Sequence, residues 1–241
     1  MQFLLALAFA SVEGQRARID VDGEVNAKQA KQVEALVEAV VADVERRFTQ
    51  PAKKPDAHVK LLVYSDADRY QTEAAKLGPV ISDWGFYMPD QRTAIANVGV
   101  SIGNLRHELV HPLIGDDYPT IPAWLNEGVA SLYGSAKLGK HGFTFLVNYR
   151  LLDLQKALKA GTLPTLAQLA ATTADDMHGD QAMMYYAYAR YVLLYAETKG
   201  TLSKLYADLR AADPSKHASI LASYVDEKAF RAWAKKLRYR R

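Results

Sequence analysis

The sequence predicts an α+β fold, with an α/β lobe containing a mixed sheet in the first half of the chain and a mostly helical lobe in the second half. Two observations carry this prediction. Strand-like apolar runs alternate with helical patterns up to about residue 98, and after Gly134 almost every apolar residue recurs at helical spacing. With 241 residues, 49% of them hydrophobic and 24% charged, the chain can bury a core as one domain over 11–241, divided into lobes at 11–134 and 135–241.

The N-terminal lobe is predicted to begin with a strand and one long helix. In this helix Val33, Val37, Val40 and Val44 belong to a stripe with a 3.6-residue period, which indicates a face that covers the sheet. The elements predicted for this region are a strand over 17–21, a helix over 26–48, a linker over 50–56, a strand over 59–64 and a helix over 66–76.

A β-hairpin is predicted to follow, because Trp84 and its neighbours precede a turn at residues 89–91 and an alternating run over 93–98. We expect strand 93–98 to form an edge of the sheet, where a substrate peptide could add as one more strand. The small side chains of Ala94 and Ala96 would let a peptide backbone approach. A hairpin with a purely structural role is the alternative.

The C-terminal lobe is predicted to consist of helices over 143–159, 166–170, 181–199 and 202–211, with two short helices after them. In the third of these helices, Tyr188, Tyr191 and Tyr195 recur with Met184 at helical spacing, which predicts that they form one packing stripe.

The pentad His107-Glu108-Leu109-Val110-His111 is the segment with the clearest chemistry. On an α-helix, residues four apart are separated by about 400° of rotation, so the two imidazoles point within about 40° of each other and can bind one metal ion. Glu108 lies about 100° around from His107. Its carboxylate is therefore expected beside the metal, where it could take a proton from a metal-bound water as general base.

A catalytic zinc ion usually has three protein ligands, so the pentad needs a third one from elsewhere. The next helix is predicted to begin near Pro122, a residue suited to a first turn, and it carries Glu127. Asp116 and Asp117 are alternatives, in a Gly-Asp-Asp-Tyr-Pro stretch that is typical of a solvated turn. The metzincin layout is excluded, because Ile114 and Asp117 stand where that motif needs Gly and His.

Pro112 is expected to limit the helix that carries the pentad. This helix is predicted to start at residues 101–104. Proline disfavours helical geometry in the residue before it and removes a backbone donor. We therefore expect the helix to end or kink at His111, and an uninterrupted helix through residue 115 would contradict this expectation.

The segments HELVH and PAWLNEGVASLYG, joined by a short Asp-rich connection, resemble the gluzincin zinc peptidases, especially small peptidase MA-like domains. The resemblance spans most of the chain. It implies a zincin-like fold with one Zn²⁺ in a cleft between the two lobes, and it makes Glu127 the third ligand beside His107 and His111. Asn126 would help to orient the ligands through hydrogen bonds. Some gluzincins carry an Asp that supports a zinc-bound histidine where this chain has Ser131.

The resemblance also implies a Tyr or His donor, from a later helix, for the oxyanion that forms when water attacks a peptide carbonyl. Tyr186 matches the first tyrosine of the corresponding family helix and falls off the tyrosine stripe. His178, in the predicted loop before this helix, is the second candidate. His58, His141 and His217 lack partners at ligand spacing, so they are predicted to be surface or structural residues.

Composition limits the partners. A net charge of +3 provides no large field for nucleic acid, although the end of the chain is locally basic over 235–241, where a solvated tail is the prediction. The absence of Cys excludes disulfides and thiolate ligands and leaves the compartment open. No apolar run is long enough to span a bilayer as a helix.

Residues 1–10 form an apolar run that ends in a small-x-small pattern, which suggests a signal peptide. An N-terminal strand and an artificial chain start are the alternatives. The protein would be periplasmic or secreted if this segment is a signal peptide, and cytoplasmic otherwise.

The leading hypothesis is a zinc metallopeptidase that acts on a peptide or protein substrate, with Glu108 as base. A catalytically inactive zincin-fold domain, acting as a binding or envelope interaction module, is the alternative. Glu108 favours the enzyme, because a structural zinc site has no use for a carboxylate beside the metal. A weaker third hypothesis is binding to an anionic surface through the basic tail.

Overall fold

A five-stranded mixed sheet and a set of helices make up the α+β fold, as the sequence predicts, and the C-terminal half is mostly helical. The computed structural model describes residues 4–15, 17–50, 58–78 and 82–239, with the side chains of 4–10 and 26–28 excepted. The elements are β1 Leu4–Glu13, β2 Arg18–Asn26, α1 Ala27–Phe48, β3 His58–Tyr64, α2 Ala67–Leu77, β4 Gly85–Met88, β5 Thr93–Asn97, α3 Ile102–Asp117, α4 Ala123–Gly134, β6 Ala136–Gly139, β7 Gly142–Phe145, α5 Leu151–Ala160, α6 Leu166–Ala170, α7 Ala174–His178, α8 Ala182–Thr198, α9 Leu202–Ala211, α10 His217–Tyr224 and α11 Glu227–Lys236.

The chain divides into two compact units. The first comprises residues 1–119 and 138–143, and the second comprises residues 120–137 and 144–241. The division that the sequence predicts at residue 134 stays a prediction, and α4 clusters with the helices of the second unit.

In the first unit the strand order is β1-β2-β3-β5-β4. The pairs β2–β3 and β3–β5 are parallel, whereas β1–β2 and β4–β5 are antiparallel. Parallel pairs need crossover connections, and α1 and α2 lie in the two crossovers. The predicted stripe on α1 is confirmed, because Val33, Val37, Val40 and Val44 are fully buried.

The strand predicted over 17–21 is observed as the longer β2. It pairs with β1, a strand that the sequence pattern indicated only as an alternative to a signal peptide. Residues 4–10 belong to that strand, and residues 1–3 lie outside the described ranges. Most of the predicted linker over 50–56 also lies outside them, as do the last two residues of the basic tail.

The hairpin is confirmed, but the predicted edge strand is wrong. β5 pairs with β3 on one side and with β4 on the other, so it is an interior strand whose residues 93–97 are all buried. Among the described strands, β4 is the outermost on this side of the sheet. Small residues such as Ala94 and Ala96 fit an interior strand as well as an exposed one, so the pattern could not separate the two.

The expectation for Pro112 is also wrong. α3 continues without interruption to Asp117, and the backbone N–H of Tyr118 still donates to the carbonyl of Ile114 at 2.8 Å. Proline inside a helix costs about 3 kcal/mol, but every residue from 108 to 114 is buried, and α3 packs against α1, β4 and β5. This packing stabilises a helix that local preferences would end.

In the second unit, α4 and α8 pack closely. A Cβ added to Gly128 would lie 2.8 Å from Cδ1 of Leu193 and 3.3 Å from the backbone of Ala189, so a larger residue would require the two helices or Leu193 to shift. The tyrosine stripe is confirmed: Tyr188, Tyr191 and Tyr195 are buried, and Tyr188 and Tyr195 contact the ring of Phe230.

The predicted start of the first C-terminal helix is wrong. Residues 136–145 form the two-stranded β6–β7 sheet, and α5 begins only at Leu151. Phe143 and Phe145 alternate with exposed or half-buried neighbours, a period of two that the helical interpretation overlooked. Within the described residues, none of the helices combines the length and the apolar character needed to cross a membrane.

Candidate metal centre

α3 presents the two histidines of the pentad. The helix begins as predicted, because the side chain of Ser101 accepts a hydrogen bond from the N–H of Gly103 at 3.0 Å. Leu105, Leu109 and Val110 are fully buried, which fixes the rotation of the helix. The His107 and His111 rings then lie edge to face with centroids 5.0 Å apart, so the sequence prediction that the two imidazoles point the same way is confirmed.

Glu127 on α4 is the carboxylate that joins this pair. The candidate ligand atoms of His107, His111 and Glu127 all lie within 4.8 Å of one another, and His111 is buried while the other two side chains are half-buried. Two ligands of a tetrahedral ion with bonds of about 2.1 Å lie about 3.4 Å apart. The spacing of the three residues is therefore one that could hold a metal ion.

The donor types limit which metal ions this group could bind. Two imidazoles and one carboxylate suit zinc, and imidazole ligands also suit copper, iron and nickel. Three protein ligands leave a fourth tetrahedral position for water or substrate, which is the pattern of catalytic sites.

Glu108 lies beside this group and is not a member of it. Its side chain is buried, and its Oε2 lies 3.9 Å from Nε2 of His111. The same carboxylate affects the buried Tyr70. Burial has the larger effect and the negative charge of Glu108 the smaller, and both raise the pKa of the Tyr70 hydroxyl. Glu108 therefore lies beside the candidate ligands, as helix geometry predicts.

The two aspartates that follow the pentad have other contacts. They lie in the last turn of α3 and not in a solvated turn, so that prediction is wrong. Asp116 binds Arg92 with both oxygens, at 2.8 and 2.7 Å. Asp117 accepts a hydrogen bond from the backbone N–H of Gln50 at 3.0 Å. Neither belongs to the group of candidate ligands.

The two candidates for the oxyanion donor lie on α7 and α8. Tyr186 is half-buried, and the guanidinium of Arg150 lies 4.8 Å from the centroid of its ring. His178 is exposed and is the last residue of α7, a short helix where a loop was predicted. A role in oxyanion stabilisation stays a prediction for both residues.

Two residues of α4 were also singled out from the sequence. Asn126 is half-buried, and its orienting role stays a prediction. Ser131 is buried, and within the described part of the chain its hydroxyl has no hydrogen-bond partner. Ser131 therefore does not form the hydrogen bond to a histidine that an aspartate at this position could form.

The remaining histidines have the structural or surface positions that were predicted for them. Nδ1 of the exposed His58 lies 3.3 Å from Oδ2 of Asp20. His217 is buried, with Nε2 3.1 Å from the carbonyl oxygen of Leu209. His141 is exposed in the turn between β6 and β7.

Sequence reasoning missed the residues that surround the pentad from β4 and its turn. The ring of Tyr87 stacks on that of His111 with centroids 6.5 Å apart and planes at 10°. A Cβ added to Gly85 would lie 2.8 Å from Cγ of Glu108, and Arg92 binds Asp116. The hairpin prediction contained part of this signal, because residues 85 and 87 of a strand share one face.

A comparison of the chain with models of known protein families finds no match, and a comparison with curated proteins finds none either.

Proposed function

We propose that this chain is a zinc-dependent metallopeptidase of the gluzincin type, with His107, His111 and Glu127 as ligands and Glu108 as general base. The observation that carries the proposal is the grouping of three ligand atoms within 4.8 Å, with a buried carboxylate next to them that is not a ligand. A zincin-like fold, with a cleft around the metal, is part of the proposal.

A bound zinc ion would supply Lewis acidity and would lower the pKa of a coordinated water toward about 7. The chain's own residues would do the rest. Glu108 would accept a proton from the attacking water and pass it to the leaving amine. Its burial limits the access of competing solvent to the carboxylate. Tyr186 or His178 would donate a hydrogen bond to the oxyanion.

The substrate would be a peptide or protein bound as an additional strand. β4 is the outermost described strand of the sheet on the side where α3 packs against it, and its Tyr87 contacts His111. A peptide bound along β4 would gain main-chain hydrogen bonds next to the proposed base.

The test combines metal analysis with a cleavage assay on a peptide library, with and without a chelator. We expect one zinc ion per purified chain, cleavage that stops on chelation and cleavage that returns when zinc is restored. Glu108→Gln should retain zinc and fold while turnover falls by about 10²- to 10⁴-fold, the usual contribution of a general base.

The outcomes separate the rival functions. Unchanged turnover in Glu108→Gln would eliminate the general-base role. A zinc-loaded wild type that cleaves no peptide in the library would favour the alternative of a binding module with a zincin fold. Peptide cleavage or partner binding that persists after complete removal of zinc would contradict both the peptidase and the zincin-fold binding module.

A further inference from the structure

Strand β4 has two different faces. Phe86 and Met88 pack with Ile95 and with residues of β3 and α2 in one hydrophobic cluster. Gly85 and Tyr87 alternate with them and meet the histidine helix α3. The strand therefore joins the core on one side and the candidate metal centre on the other.

Gly85 leaves the space that the side chain of Glu108 occupies. A Cβ at position 85 would lie 2.8 Å from Cγ and 3.0 Å from Oε1 of Glu108, and 2.8 Å from the carbonyl oxygen of Ile95. Distances this short require a displacement. Because the carbonyl belongs to the interior strand β5, the side chain of Glu108 is the group that would move most easily.

Tyr87 restricts the imidazole of His111. The two rings are stacked and nearly parallel, with planes at 10° and centroids 6.5 Å apart. Tyr87 is half-buried, which restricts the motion of its own ring. A flat neighbour on one face limits rotation of the imidazole about its own side-chain bonds.

The turn after β4 is fastened to the far end of the same helix. Arg92 has left-handed backbone angles, φ 46° and ψ 39°, which are uncommon for a residue with a side chain. Both terminal nitrogens of Arg92 bind Asp116, and its Nε donates to the carbonyl of His58 at 3.0 Å. This pairing holds the β4–β5 turn against the last turn of α3.

We propose that β4 is the positioning element of the metal centre, with the ring of Tyr87 holding the His111 imidazole and the bare Gly85 setting the position of the Glu108 carboxylate. This inference rests on the proposed function. Groups that orient a metal-binding histidine typically contribute 10- to 100-fold to metal affinity or activity. We therefore expect Tyr87 to affect metal affinity and Gly85 to affect turnover.

The first experiment measures the zinc affinity of Tyr87 variants by competition with a chromophoric chelator, and the visible spectrum of the cobalt-substituted protein. Tyr87→Leu, which removes the flat ring, should bind zinc about 10- to 100-fold more weakly and shift the cobalt spectrum. Tyr87→Phe keeps the ring and should match the wild type. Met88→Ala, on the opposite face of β4, should lower thermal stability without changing zinc affinity.

Wild-type zinc affinity in Tyr87→Leu would overturn the role of Tyr87. An equal loss of affinity in Met88→Ala would also overturn it, because the effect would then come from general destabilisation. Neither measurement needs peptide cleavage. A wild type that binds zinc without cleaving peptides would therefore defeat the proposed function and leave this inference open to measurement, whereas a wild type that binds no metal defeats both.

The second experiment compares Gly85→Ala with Gly115→Ala. Gly115 lies on α3 with nothing within 4 Å of an added Cβ, so its substitution should leave turnover unchanged. Gly85→Ala should retain zinc affinity within about threefold and lower kcat by about 10- to 100-fold. In a Glu108→Gln background, Gly85→Ala should lower the residual kcat no further.

An equal loss of kcat in both backgrounds would show that Gly85 acts independently of Glu108, and it would overturn that half of the proposal. If Gly85→Ala does not fold, the Tyr87 series decides the proposal alone.

Discussion

The choice among carboxylates shows what decides function at the scale of single residues. Asp116, Asp117 and Glu127 all follow the histidine pair in the chain. Spacing alone kept all three as ligand candidates. The turn-like pattern around the two aspartates disfavoured them, and the resemblance favoured Glu127. In the structure Asp116 pairs with Arg92 and Asp117 accepts from a backbone N–H, while Glu127 groups with both histidines.

Removal of the Glu127 carboxylate should weaken metal retention. Glu127→Ala would leave two imidazoles to hold the ion, so we expect a loss of zinc affinity greater than the roughly 100-fold upper range for supporting groups. Metal content after exhaustive dialysis measures the effect. Asp117→Asn is the matched control and should remain fully loaded.

Full zinc occupancy in Glu127→Ala would contradict the assignment of the third ligand. Loss of zinc in Asp117→Asn together with retention in Glu127→Ala would transfer the role to Asp117.

At the scale of elements, α3 shows how packing overrides a local preference. Pro112 has no N–H to donate to the carbonyl of Glu108, one turn earlier, and it disfavours the helical geometry of His111. The helix nevertheless continues to Asp117, because its central residues are buried against α1 and the sheet. The candidate ligand His111 thus lies inside a continuous helix.

Pro112→Ala should stabilise the protein modestly. It restores a backbone donor and removes the clash of the proline ring with the preceding turn, which together are worth about 3 kcal/mol in a helix interior. Loss of two buried methylene groups removes about 0.8 kcal/mol each, and a more flexible unfolded chain removes about 0.4–1 kcal/mol. We expect the free energy of unfolding to rise by roughly 0.5–1 kcal/mol in urea denaturation. A decrease of 1 kcal/mol or more would show that the buried ring contributes more than the missing hydrogen bond costs.

At the scale of the whole molecule, buried tyrosines couple stability to alkaline pH. Burial raises the pKa of Tyr64 to about 12, and it also raises the pKa values of Tyr70 and Tyr188. A folded-state pKa above the unfolded value of about 10 means that the unfolded chain loses its protons first. The stabilisation by neutral tyrosines is complete below pH 10 and is lost as the pH rises toward 12.

Alkaline titration tests this coupling through two signals, the circular dichroism of the fold and the absorbance of tyrosinate. We expect exposed tyrosines to ionise near pH 10 with the fold intact, and the buried ones to ionise only together with loss of structure at higher pH. Complete ionisation of all 14 tyrosines without loss of helical signal would contradict the burial of Tyr64, Tyr70 and Tyr188.

Much of the architecture was predictable because it depends on short-range patterns. The stripe of valines indicated the buried face of α1, the alternation around Trp84 indicated the hairpin, and the tyrosines of α8 indicated a packed stripe. The β6–β7 sheet was missed because Phe143 and Phe145 are only two alternating positions, too few to outweigh the helical pattern that follows. The contacts of Gly85 and Arg92 were missed because the sequence around a residue does not indicate which residue of another element it contacts.

The sequence by itself determined the helix that pairs His107 with His111, and the place of Glu108 beside them, because both follow from the rotation between residues of one helix. Only the tertiary structure decided that Asp116 pairs with Arg92, that β4 and not β5 is the outermost described strand on its side of the sheet, and that α3 continues past Pro112. Each of these depends on free energies of contact between elements far apart in the chain, and those contacts outweigh local preferences of a few kcal/mol.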